Sequence, residues 1–181
     1  MRELHEFHLP LRYVVGTVGE GSSRDFFIQA KSSNRLVTIS LDETQADILN
    51  QSVNRILDEL IKLGIEVPVF EPGDLDLEPL DLPFDVEFSA GAIGLAWNET
   101  TELLTIEIHA ESDSEHIPDV EENVLEGPPC LRVRLTAQDG RNFVSRTARF
   151  LRDGRQSCQF CQLSIESSGH ICPRSNGYLR S

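Results

Sequence analysis

Between Leu63 and Leu131 the chain has no lysine and no arginine, while eighteen aspartates and glutamates fall in that stretch. A region so charged repels nucleic acid and anionic membrane. No apolar run approaches the roughly 20 residues that a spanning helix needs. The opening MRELHEFHLPLRYVVG has scattered charges and no apolar block. No secretory signal is therefore expected, and a cytoplasmic protein is. There are only four cysteines in 181 residues. Cytoplasmic thiols stay reduced, which favours metal binding over disulfides for any that cluster. No Walker A loop, dinucleotide glycine fingerprint, nucleophile elbow or H-E-x-x-H helix occurs. GTVGEG has glycines but lacks the following Lys-Ser/Thr, and it opens a hairpin rather than a helix.

What remains is 39% hydrophobic, enough for a core. The net charge of −14 is unevenly spread. Residues 1–62 are near balance, whereas nine arginines face three acids from Arg132 onward. The basic third is expected to neutralise the acidic middle of its own chain; an anionic partner is the competing use.

RYVVGTVG and RDFFIQAKS read as two strands joined through GEGSS, and RLVTISL alternates as a third. Asp42, with Gln45 three residues on, caps a helix. Its apolar face is Leu49, Val53, Ile56, Leu57 and Leu60, and Gly64 ends it. The same programme then recurs. GAIGLAWNE and ELLTIEIHA make a hairpin and CLRVRLT a strand. Thr136 and Asp139 then cap a helix whose face is Phe143, Thr147, Phe150 and Leu151, ending at Gly154. An offset of 78 maps Gly16 on Gly94 and Ile28 on Ile106; an offset of 94 maps Asp42 on Thr136 and Leu57 on Leu151. The expectation is an α+β fold of two strand–strand–strand–helix units, 1–64 and 86–154, sharing a mainly antiparallel sheet. Residues 65–85, rich in proline and acid, are a connector that lies along the body or forms a flexible linker. Residues 155–181 form a tail packed on the body.

In the tail, Cys158, Cys161, His170 and Cys172 spell C-x2-C-x8-H-x-C. Three thiolates and one imidazole are a standard structural zinc set, and a closed set of four leaves no position for catalysis. Eight intervening residues allow a short hairpin, with Ser167, Ser168 and Gly169 supplying the bend. A stretch this small has no core, so the ion would supply most of its order. The competing uses of such cysteines are thiol redox chemistry, or none.

The tail and the doubled strand–helix pattern together resemble an uncharacterised actinobacterial family, domain of unknown function 3090, sometimes called a repeat protein. The family's ending runs approximately C-P-x-C-G-x-P and then G-H-x-C-P-R-x-N-G-Y. Cys158, Cys161, Gly169, His170, Cys172, Pro173, Arg174, Asn176, Gly177 and Tyr178 match, while Gln159 and Gln162 replace its proline and glycine. The resemblance implies no established activity.

Elsewhere, Cys130 reads as a small buried residue at a strand start. His5 and His8 read as part of a mobile terminus. His116 falls in a solvated acidic run, and Trp97 reads as hairpin packing. Three functions compete. The first is a non-enzymatic interaction or adaptor protein with a structural zinc and a protein partner. The second is an enzyme assembled between the units, with Glu107, His109, Arg132 and Arg134 on adjoining strands as the place to look. The third is a nucleic-acid module using Arg141, Arg146, Arg149, Arg152, Arg155 and Arg174, which the acidic middle argues against.

Overall fold

The computed structural model describes residues 1–19, 23–68, 75–113, 117–153 and 172. Seven strands and two helices follow one another: β1 (Leu4–His8), β2 (Arg12–Val18), β3 (Asp25–Lys31), β4 (Leu36–Leu41), α1 (Glu43–Lys62), β5 (Val86–Asn98), β6 (Leu103–Ala110), β7 (Cys130–Leu135) and α2 (Ala137–Asp153). The strands form one sheet in the order β1-β7-β6-β5-β4-β3-β2. Four pairings are antiparallel; β1 with β7 and β4 with β5 are parallel. The α+β class and the mainly antiparallel sheet are therefore as expected. The trios β7-β6-β5 and β4-β3-β2 stand in the same order and run in the same directions, so one follows the other along the sheet.

β1 is the element that the sequence reading assigned to a mobile terminus. Its HEFH core is short and polar, and its partner lies more than 120 residues away, where Leu4 pairs with Cys130 and His8 with Arg134. Its position also fixes the curvature of the sheet. β1 and β2 occupy opposite ends of the strand order, yet only Leu9, Pro10 and Leu11 join them. Such a link reaches about 14 Å. A flat seven-stranded sheet would separate its edges by about 29 Å. The sheet must therefore curl. Arg35, in the β3–β4 turn, meets β1 accordingly: its guanidinium lies 2.6 Å from His5 Nδ1 and 5.2 Å from the centre of the Phe7 ring.

The helices are built as their caps dictate. Asp42 Oδ1 accepts from the Gln45 amide at 2.6 Å, and Gln45 Oε1 accepts from the Asp42 amide at 2.9 Å. Gly64, at φ +83°, takes the left-handed position just past α1. Thr136 Oγ1 accepts from the Asp139 amide at 3.1 Å at the start of α2. Both helices pack on the inner face of the sheet. Leu49, Val53 and Leu57 of α1 and Phe143 and Leu151 of α2 share one core with Ile28, Ile39, Leu104, Ile106 and Val133. Phe143 stacks on Tyr13 of β2, with ring centres 5.0 Å apart.

Two expected core residues, Ile56 and Phe150, are only partly buried. Phe150 is half-buried, and Arg146 is 1% exposed in its neighbourhood, with its guanidinium 4.6 Å from the Phe150 ring centre. Arg146 is driven inward by acceptors remote in sequence. Its Nε donates to Val15 O at 2.9 Å, and its Nη2 donates to Glu78 O at 2.8 Å.

The outer face of the sheet is covered by two segments, here called straps. Residues 75–85 lie over β2–β4, where Leu80 covers Gly16 and Asp81 bonds to Gln29. Residues 117–127 lie over β5–β7. No helix among the described residues is long and apolar enough to cross a membrane.

Candidate functional site

Of the four predicted zinc ligands, Cys158, Cys161 and His170 lie outside the described residues, as does His116. Cys172 is described and buried. The second predicted grouping, Glu107, His109, Arg132 and Arg134, is brought together, and strand register explains how. Glu107 and His109 alternate on the outer face of β6, where Glu107 pairs with Arg132 and His109 with Cys130 across β7. The sequence marked the alternation within each strand. It could not mark Cys130 as a neighbour of His109, because that pairing depends on register across a long loop.

Glu107 is fully buried and divides its two oxygens between two tasks. Oε1 accepts from the Glu121 amide at 2.8 Å and from Arg132 Nε at 2.5 Å. It thereby anchors the second strap. Oε2 faces His109 Nε2 at 3.4 Å, Arg2 Nη2 at 3.7 Å and Cys130 Sγ at 4.0 Å. Burial pushes the Glu107 carboxyl up. Hydrogen bonds from His109, the Glu121 amide and Arg132 outweigh that and hold it down at about 2. Burial, helped by the Glu107 charge, pushes the Cys130 thiol up to about 11. The Glu107, His109 and Cys130 ligand atoms all lie within 4.8 Å of one another, close enough to hold a metal ion.

The strap is tied down further around this cluster. Arg132 Nη1 donates to Asn123 Oδ1 at 2.8 Å and Nη2 to Glu122 O at 3.1 Å. Arg134 Nε donates to Glu121 Oε1 at 2.9 Å, and the Thr105 hydroxyl donates to the same oxygen at 2.6 Å.

Under the first strap the corresponding positions do a similar job without charge. Gln29 stands 78 residues before Glu107, and its Oε1 accepts from the Asp81 amide at 2.8 Å. Thr38 stands 94 before Arg132, and its hydroxyl accepts from Gln29 Nε2 at 2.9 Å. Gly16 and Gly94 match in the same way. A Cβ at Gly16 would meet Leu80 at 2.6 Å, and one at Gly94 would meet Val120 at 2.5 Å. Each strap thus sets an aliphatic residue on a strand glycine and lends its next amide to a buried side chain.

Among the described residues, the arginines of the C-terminal third are largely spent on the chain's own acids. Arg132 and Arg134 are used as above, Arg141 pairs with Asp58 at 2.8 Å, and Arg146 pairs with Asp76 at 3.1 Å. Arg12, from the first half, grips the same strap through Asp76 and Asp81, at 2.6 and 2.7 Å. A separate cavity of 130 Å³ lies between β2 and α2, bordered by Tyr13, Phe143 and Arg146.

These features define an α+β protein whose curled mixed sheet holds two helices inside and two straps outside. The chain belongs to the family described as a protein of unknown function, DUF3090, which matches residues 5–172. No curated protein and no solved structure matches it.

Proposed function

We propose that this is a non-enzymatic cytoplasmic interaction protein: a body of two βββα copies carrying a tail stapled by a structural zinc. The observation that carries the non-enzymatic reading is the state of the polar cluster. Glu107, His109 and Arg132 are each at most 1% exposed, beneath a strap that is bonded to Glu107 and Arg132. A substrate would have to displace the strap to reach them. The repeat is supported by the matched glycines, strap anchors and caps of the two halves. The zinc reading rests on the C-x2-C-x8-H-x-C spacing of Cys158, Cys161, His170 and Cys172, with the burial of Cys172 in favour of a tail packed on the body. Nucleic acid is the weaker partner, because Arg132, Arg134, Arg141 and Arg146 already serve internal acids. An enzyme is the second reading, favoured by the gathering of Glu107, His109 and Cys130.

The test compares capture of a protein partner from the native host by zinc-loaded chain, chelated chain and the Cys161→Ser variant. Chelation and the substitution should both abolish capture while the β-sheet circular dichroism stays nearly unchanged, because the ion orders only the tail. Equal capture by all three samples would refute the adaptor reading. Melting of residues 12–150 on chelation would make the metal a keystone of the fold and refute the separable tail.

A further inference from the structure

The first half shows what holding the strap amide requires: one buried acceptor and one neutral partner for it. Glu107 Oε1 and Arg132 meet that need in the second half. The Oε2 side has no such explanation. There Glu107, His109 and Cys130 converge from two adjacent strands, and all three are buried. The fourth group present, Arg2, fits its surroundings poorly. Its side chain is only 2% exposed, yet its Nε is buried without a hydrogen-bond partner. Its Nη2 stands 3.5 Å from His109 Nδ1 and 3.7 Å from Glu107 Oε2, its Nη1 donates to Glu122 O at 3.2 Å, and the guanidinium also bonds to the Cys130 sulfur. A buried guanidinium usually finds better company.

We propose that Glu107 Oε2, His109 Nε2 and Cys130 Sγ form a second metal site, for a zinc-class divalent ion, with Arg2 standing in for the ion when the site is empty. The donor set is mixed oxygen, nitrogen and sulfur, which suits zinc or cobalt rather than calcium or magnesium. The spacing agrees. Tetrahedral zinc with usual bond lengths sets ligand–ligand edges of roughly 3.3–3.6 Å. The carboxylate–imidazole edge is already 3.4 Å, and the carboxylate–sulfur edge of 4.0 Å needs to close by only a few tenths. Charge is conserved in the exchange. The ion brings two positive charges, while Arg2 swings out with one and Cys130 releases a proton with the other. Arg2 lies outside β1 and takes part in no strand pairing, so its side chain can swing away without breaking the sheet. Three protein ligands leave a fourth position open, unlike the tail set.

Cobalt titration of the full chain, read by thiolate-to-cobalt absorption and by bound metal per chain, tests the proposal. Wild type should hold one Cys130-dependent ion in addition to any tail ion. Cys130→Ser and His109→Ala should each lose it, whereas Cys161→Ser should keep it. Failure of the tail reading therefore removes a different ion from failure of this one. Arg2→Ala should bind the body ion at least tenfold more tightly, because a competing cation is gone; this variant guards against misfolding in the others, since it deletes no ligand. Metal content and absorption that do not depend on Cys130, or an Arg2→Ala chain that binds no better than wild type, would overturn the site.

Discussion

The two strap-covered faces solve one mechanical problem with different chemistry. Over β2–β4 the central anchor is an amide and a hydroxyl, Gln29 and Thr38. Over β5–β7 it is a buried carboxylate and a guanidinium, Glu107 and Arg132. The neutral pair shows that charge is not needed at the central anchor, although Arg12, Lys31 and Arg146 hold the same strap through Asp76 and Asp81. Buried ion pairs seldom beat well-packed neutral replacements in stability, because desolvation offsets their attraction. Breaking one by removing a single partner is a different matter. The central anchor of the second face is therefore expected to be fragile to single substitutions in a way that Gln29 and Thr38 are not.

The largest effect should come from Glu107→Ala. It leaves Arg132 and Arg2 buried without their shared anion, and we expect a loss of about 3–5 kcal/mol in urea or guanidinium unfolding. A loss under 1 kcal/mol would mean that the cluster is already open to water. Next come the glycines. Gly16→Ala and Gly94→Ala each press a methyl into the overlying Leu80 or Val120, and each should cost about 1–3 kcal/mol. Equal faster cutting of the two straps by protease would sharpen the parallel. A tolerated Gly94→Ala beside a damaging Gly16→Ala would break it. The smallest effect should be Thr38→Val, which removes one neutral hydrogen bond and should cost about 1 kcal/mol.

Acid should separate the faces further. The Glu107 carboxyl titrates lower in the folded protein than in the unfolded chain, where it would have its ordinary value of 4.5. Its contribution is complete above the unfolded value and is lost as pH falls from about 4.5 towards 2. Gln29 and Thr38 do not titrate. Hydrogen exchange in that window should therefore rise at the Glu121 amide, which donates to Glu107, more than at the Asp81 amide, which donates to Gln29. Asp76 and Asp81, both held low by arginine or lysine partners, will loosen the rest of the first strap in the same direction. The comparison is thus of those two amides and not of whole segments.

Much of this was legible beforehand because it is local. Strand alternation, helical spacing and the Asp42–Gln45 and Thr136–Asp139 caps located β2–β4, α1, β5–β7 and α2. What escaped was set by distant partners. β1 becomes a strand only because β7 offers an edge. Arg146 displaces Phe150 from the deepest position because its acceptors belong to β2 and the first strap. Glu107, His109, Arg132 and Arg134 could be named from alternation, but the closeness of Cys130 and Arg2 comes from register and from the path of the terminus.

The most direct test is a pair of double-mutant cycles measured by equilibrium unfolding. One cycle uses Glu107→Gln with Arg132→Met, and the other uses Gln29→Leu with Thr38→Val. The ionic pair should show a coupling above about 2 kcal/mol, with the double variant losing less than the two single losses combined. The neutral pair should couple by about 1 kcal/mol or less. Equal couplings on the two faces, or simple addition of the Glu107 and Arg132 losses, would contradict the view that the central anchor of one strap is an ion pair and that of the other a neutral substitute for it.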